Sequence, residues 1–319
     1  MKSSIITFVK FAVAVGLIAI LFNKGLLDLS VLRQLTDPLV LTLGLLLVGV
    51  SLTLQAWRWY LLLEARKLPA VFSETWKLFH IGLFFNYAIP GSVGGDVVRA
   101  YYIVQEHRER RMDAVLTVVI DRLLGLYAMV VIGTLSILFN WDRIQGNQQL
   151  VSLSVATIGL FLMMTLFWGA SFSRRMKSVL RIEAALRRLP MADKLVRAYK
   201  AAQGYGESKP RLLVAFGLSL VAQVFAIAFM ILVGHTIGEG DVSLATYFFA
   251  VPLGSIIASV PIAPAGLGVG QVAFLVLFQM YTGEESLLGQ TAITAFQIAL
   301  LAWGLLGALF YVRRPRMKS

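Results

Sequence analysis

Six stretches of this chain, near 5–22, 38–63, 113–139, 147–170, 211–234 and 288–312, are apolar for long enough to cross about 30 Å of hydrocarbon as helices. A soluble fold would have to bury all six and still coat itself with polar groups. The chain has too few: 14% of its 319 residues are charged, where about 25% is usual, and 58% are apolar. An all-α polytopic membrane protein is therefore expected. The first stretch, at about 18 residues, is longer than a signal-peptide core, and Phe22-Asn23-Lys24 offers no small-residue cleavage site, so an uncleaved first helix is expected.

Two further apolar regions are broken in the middle by proline and glycine, 73–107 at Ile89-Pro90-Gly91-Ser92-Val93-Gly94-Gly95 and 244–281 at Pro261-Ile262-Ala263-Pro264-Ala265-Gly266-Leu267-Gly268. Each reads as a re-entrant helical hairpin. Positively charged loops stay in the cytoplasm. Placing both termini, 64–72, 107–112 and 171–211 inside collects 21 of the 29 Lys and Arg there and leaves 3 in the outer loops. That assignment returns each hairpin to the side it entered from, whether or not its limbs cross fully. The order span, span, hairpin, span then occurs twice with opposite orientation, an inverted-topology repeat over 1–139 and 140–319. Identity between the halves is low, but Pro90/Gly94 and Pro264/Gly268 share one spacing, and both breaks contain G-x-x-x-G. Glycines at that spacing also serve close helix packing; paired interruptions in corresponding positions point to a binding site. Between the halves, 173–205 combines nine Lys and Arg with apolar residues around Pro190, as two amphipathic helices on the anionic leaflet or as an ordinary basic loop.

Charged residues at membrane depth need partners or a wet cavity. Asp121 and Arg122 lie about 13 Å into their helix at 1.5 Å per residue, and adjacent residues diverge by about 100°, so they need not pair with each other. Asp96 and Arg99 share a helix face just after the first break and can pair locally; Asp96 can equally cap that helix. Free N–H groups of Ser92, Gly94 and Gly95 would form an anion cradle. Arg58, in Trp57-Arg58-Trp59-Tyr60 near a helix end, fits an interfacial belt with a snorkelling arginine. Asn86, Gln223, Gln271 and Gln297 are neutral candidates for lining a cavity or for bonds between helices. With no cysteine and three scattered histidines, no metal site, cofactor or thiol chemistry is expected. The net charge of +12 comes without any nucleic-acid-binding motif and is assigned to lipid headgroups, so nucleic acid is not an expected partner. Gly268-Val269-Gly270-Gln271-Val272-Ala273 matches a dinucleotide pattern but lacks the strand and βαβ unit that pattern requires.

The run Asn86 to Arg99, with P-x-x-x-G-G-D-x-x-R, followed by Asp121-Arg122 and by Pro264-Ala265-Gly266-Leu267-Gly268-Val269-Gly270-Gln271, resembles the bacterial flippase-like family related to the transmembrane region of lysylphosphatidylglycerol synthases. The similarity extends over essentially the whole chain. It implies lipid translocation by broken-helix repeats. Where family members often carry Arg-Glu after G-x-G-x, this chain has Gly270-Gln271, so a charged role there is not implied. The aminoacyl-transferring domain of the full synthases has no counterpart in these residues, and no enzymatic activity is expected. The expectation is a bacterial inner-membrane lipid transporter with both termini cytoplasmic, acting on anionic lipids and compatible with homo-oligomers. Its expected headgroup site comprises Asn86, Ser92, Gly94, Gly95, Asp96, Arg99, Asp121, Arg122, Gly266, Gly268 and Gln271. The alternatives are a secondary transporter of a small solute and a non-transporting subunit that recruits an enzyme through 173–205.

Overall fold

A computed structural model of the chain describes residues 37–88, 93–172, 187, 196, 204–205, 208–260 and 264–314. The expected first span at 5–22, Ser92 with the tip of the first break, and nearly all of 173–205 lie outside the described residues.

Among the described residues, five helices are long and apolar enough to cross a membrane: α1 (Pro38–Ala65), α4 (Arg111–Phe139, extended by the turn Arg108–Arg110), α5 (Gln148–Phe172), α6 (Lys209–Thr236) and α9 (Leu288–Arg313). The hairpins form four shorter helices, α2 (Phe72–Ala88) with α3 (Gly94–Glu106), and α7 (Leu244–Ala258) with α8 (Val269–Thr282). At 1.5 Å per residue these limbs run about 20–25 Å, short of a full crossing. Helix is enforced throughout because hydrocarbon offers backbone N–H and C=O groups no other partner. Local chemistry sets the ends. Asp37 Oδ1 accepts from Leu39 N at 2.8 Å with Pro38 in the first turn of α1, and Gly283, in the left-handed region at φ 77°, ends α8.

The packing repeats when the halves are exchanged. α1 lies along α6, its counterpart, with Ser51 Oγ donating to the Ala222 carbonyl at 2.9 Å. The last helix of each half packs on the first hairpin limb of the other, α9 on α2 and α4 on α7; the two limbs of each hairpin pack on each other, and the second limb, α3 or α8, packs on the final span of its own half. Gly307 of α9 sits where an added Cβ would collide with the His80 carbonyl oxygen of α2. Such close backbone approach is the usual device where lipid supplies no hydrophobic drive between helices.

Each hairpin returns to the end of the bundle from which it started. At one end Arg66 pairs with Asp113, Ser208 Oγ donates to the Ala65 carbonyl at 3.2 Å, and Arg314 pairs with Glu106 at 2.6 Å. At the other, Arg143 donates to Ser243 Oγ at 3.1 Å and Ser286 Oγ donates to Glu239 at 2.5 Å. Many of the large apolar side chains left exposed, among them Leu138, Phe139, Leu162, Met163 and Leu213, lie on spans where lipid would cover them.

Candidate functional site

The first half concentrates five charges where its helices converge, and they form one chain of alternating sign. Asp121 of α4 accepts from Arg58 Nε of α1 at 2.7 Å and from Arg99 Nη2 of α3 at 2.9 Å. Arg99 Nη1 also reaches Asp96 Oδ1 at 3.3 Å, and Asp96 Oδ2 accepts from Arg122 Nη1 at 2.6 Å. The sequence Arg58–Asp121–Arg99–Asp96–Arg122 has three cations and two anions, a net charge of +1. It runs from buried to open: Asp121 is 2% exposed, whereas the side chains of Asp96 and Arg122 are 24% and 35% exposed.

Small residues opposite the guanidinium groups make this burial feasible. An added Cβ at Gly125 would lie 2.9 Å from Arg58 Nη1, and one at Gly82 would lie 2.7 Å from the Arg99 stem. The Arg99 guanidinium also lies over the Trp59 ring at 4.1 Å and the Phe79 ring at 4.9 Å, contacts worth up to about 2 kcal/mol when desolvated. Thr117 accepts from Trp59 Nε1 at 3.2 Å and fixes that ring. Among the described residues, two bonds to neutral oxygens reach the second half: Arg58 Nη1 to Ser219 Oγ and Arg122 Nη2 to the Ser259 carbonyl, each 3.1 Å.

These groups line a cavity of about 420 Å³ between the halves. Its charged wall, with Asn86, comes from α1–α4; the facing wall from α6, α7 and α9 adds Gln223, Ser255 and Gln297 among apolar side chains. The inverted repeat is therefore chemically one-sided, charged on the first half and neutral on the second. Among the described residues no group of three or more histidines or carboxylates is arranged to hold a metal ion.

Of the residues expected at a site, the structure brings Asn86, Asp96, Arg99, Asp121 and Arg122 together in this cavity. Asp121 and Arg122 do not pair with each other, and among the described residues Asp96 caps no helix N–H: its carboxylate is engaged by Arg99 and Arg122. The glycines hold the breaks together. The Gly95 N–H donates to Asn86 Oδ1 at 2.8 Å, so it is not a free donor for an anion; a Cβ at Gly95 would strike the Gly82 carbonyl oxygen across the hairpin. Gly94 is buried at the start of α3 and does not line the cavity. Gly266 and Gly268 hold φ of 69° and 80°, which favour glycine, and a Cβ at Gly266 would lie 2.6 Å from the Ala258 carbonyl oxygen. Gln271 stands one step behind the cavity: it accepts from Gly268 N at 2.7 Å and donates to Gln297 Oε1 at 2.6 Å. Gln297 reaches the Ala265 carbonyl at 3.3 Å, and its own carbonyl accepts from Tyr87 at 2.7 Å, so an amide relay joins the second break to the limb before the first.

Arg58 corrects an expectation. It does not snorkel: only 5% exposed, it is held by Asp121 and Ser219. The available signal was Gly125, four residues after Asp121 and so on the same helix face, which leaves space for a large neighbour.

A family model described as the lysylphosphatidylglycerol synthase TM region matches residues 7–308. No curated protein and no solved structure matches the chain.

Proposed function

We propose a lipid-translocating role from a fixed premise: the chain belongs to the lysylphosphatidylglycerol synthase transmembrane family. That family suggests a membrane protein concerned with lipid modification or transport. The finer reading is a transporter that moves an anionic phospholipid or a polyprenyl-phosphate-type amphiphile between leaflets without altering it covalently. The observation that carries it is the one-sided cavity, where three arginines are held against two aspartates with a net charge of +1. A cavity of about 420 Å³ takes a headgroup while the acyl or prenyl chains stay in the bilayer.

The geometry gives each residue a role. Arg122 and Asp96, the most open members, meet the headgroup first. A phosphate oxygen competes with the Asp96 carboxylate for Arg122 and for Arg99 Nη1, and bidentate guanidinium geometry suits that exchange. Asp96 thus stands in for the anion when no lipid is present. Asp121 and Arg58 keep Arg99 in place. The basic end of the bundle is assigned to the cytoplasm of a bacterial inner membrane, with both termini on that side, because that end carries the Lys- and Arg-rich connections.

The test is leaflet exchange of tagged anionic phospholipid and polyprenyl phosphate in liposomes holding purified protein. We expect Arg99→Gln and Arg122→Gln to slow exchange at least tenfold at equal protein content, with lipid recovered unaltered by mass spectrometry. Wild-type exchange rates in both variants would remove the cavity from the mechanism. Protein-dependent uptake of a soluble solute without lipid exchange would support the solute transporter instead.

A further inference from the structure

A second concave site lies away from the central cavity, at the end of the bundle where α1 stops and α6 begins. It has a volume of about 450 Å³, and its wall includes Arg66, Lys67, Arg110, Ser208 and Arg211. The backbone that shapes it is well tied. α1 closes with Leu68 N donating to the Leu63 carbonyl at 3.0 Å and Lys67 N to the Glu64 carbonyl at 2.9 Å, a helix stop whose pivotal residue is usually glycine. Here that residue is Lys67, at φ 54°. Ser208 Oγ and Arg110 Nη1 occupy the Ala65 and Lys67 carbonyls at 3.2 Å each, which removes negative ends from the pocket. Arg66 is seated over the Tyr205 ring, with its guanidinium centre 5.6 Å from the centroid, and a Cβ at Gly204 would collide with it.

The charge balance is what makes this more than a basic loop. Asp113 engages both Arg66 and Arg110, the latter at 2.6 Å. Lys67 and Arg211 are exposed and pair with no carboxylate among the described residues. The described wall therefore holds four cations against one anion, a surplus of three in a preformed hollow. A phosphodiester bears a single negative charge and leaves most of that surplus uncompensated; a phosphate monoester or a diphosphate bears two or more.

We infer that this pocket is a second anion site, for a phosphate monoester or diphosphate group at headgroup level. It uses none of the central cavity's residues and stands or falls independently of the translocation reading. The group can be carried by a lipid or by a soluble molecule.

The experiment uses the full chain and has two arms. Inorganic pyrophosphate is titrated onto protein in uncharged detergent; phosphatidic acid and phosphatidylglycerol are compared at equal mole fraction in phosphatidylcholine nanodiscs, with bound lipid counted by mass spectrometry. The variant is Lys67→Gly with Arg211→Gln. Glycine is at ease at φ 54° and neither side chain makes an ion pair among the described residues, so the fold should persist, and its melting temperature is checked. Pyrophosphate affinity, phosphatidic acid enrichment, or both should fall at least tenfold in the variant. Loss in the nanodisc arm alone marks a lipid headgroup site, loss in the pyrophosphate arm alone a soluble ligand, and loss in both a site indifferent to the tether. Unchanged binding within twofold in both arms overturns the proposal, as does equal enrichment of phosphatidylglycerol and phosphatidic acid by the wild type. Loss in Arg99→Gln but not in Lys67→Gly/Arg211→Gln would place the anion in the central cavity and overturn it as well.

Discussion

Replacing Asp121 by asparagine removes one unit of charge from the most buried point of the ion-pair chain. The carboxylate is 2% exposed and receives Arg58 at 2.7 Å and Arg99 at 2.9 Å. Hydrogen bonds to charged groups contribute about 1.5–3 kcal/mol each, so two account for roughly 3–6 kcal/mol, in line with the roughly 3–5 kcal/mol lost when one partner of a buried pair is deleted. Asparagine keeps one good acceptor, which sets the expected loss near the lower bound, about 3 kcal/mol. For a chain of this size that is a fall of roughly 6–12 °C in melting temperature, taking about 2–4 °C per kcal/mol. Asp96→Asn should cost about 1 kcal/mol, because its more open carboxylate is partly screened. Tryptophan fluorescence during heating of detergent-solubilised protein measures both. Adding Arg58→Met to Asp121→Asn should cost less than Arg58→Met alone, with a coupling of at least about 1 kcal/mol, since the second change removes a charge the first left unpaired. An Asp121→Asn protein that melts within 2 °C of wild type, or single effects that simply add, would refute the view that these residues form one electrostatic unit.

Gly95→Ala should lower stability by about 1–3 kcal/mol, the usual cost of overpacking, because its Cβ meets the Gly82 carbonyl oxygen; melting temperature and membrane abundance read the effect. Tyr87→Phe should cost about 1 kcal/mol through the lost bond to the Gln297 carbonyl, and a melting curve unchanged within error would show that the amide relay contributes nothing. Because the chain contains no cysteine, Glu109→Cys and Gln145→Cys report topology directly: the first should react with impermeant maleimide only from the cytoplasmic face and the second only from the outer face. Reaction of both from one face would contradict the packing of their loops at opposite ends of the bundle.

What the sequence made legible follows from the solvent. Lipid tolerates neither polar runs nor irregular backbone, so spans and interruptions are written as composition, and all five described spans start and stop within three residues of their expected limits. Asp96, Arg99, Asp121 and Arg122 were equally visible, since each is anomalous at its depth. Arg58 was not, because seven residues from the end of α1 it looks like any interfacial arginine. What buries it is Asp121, 63 positions away, and Ser219, 161 away. The packing role of the glycines was hidden for a related reason. A P-x-x-x-G break is compatible with a ligand cradle or with close packing, and the deciding facts, Gly82 facing Gly95 and Ala258 facing Gly266, are pairings between limbs that spacing alone does not reveal.

The one-sided charge of a two-fold repeat bears on how such a molecule could move. Among the described residues every ion pair of the cavity joins residues between Arg58 and Arg122, so the described network belongs to the first half. Among the described residues it meets the second half at Ser219 Oγ and the Ser259 carbonyl. A displacement of one half against the other would break bonds to neutral oxygens, each about 1.5–3 kcal/mol and replaceable by water or by headgroup oxygens. Separating the ion pairs would cost more and leave buried charges exposed to lipid. On the proposed function, the ion-paired groups would travel as a unit with the first half, past the neutral wall of the second. A repeat with charges on both walls would lock across the cavity; one with charges on neither would hold no anion.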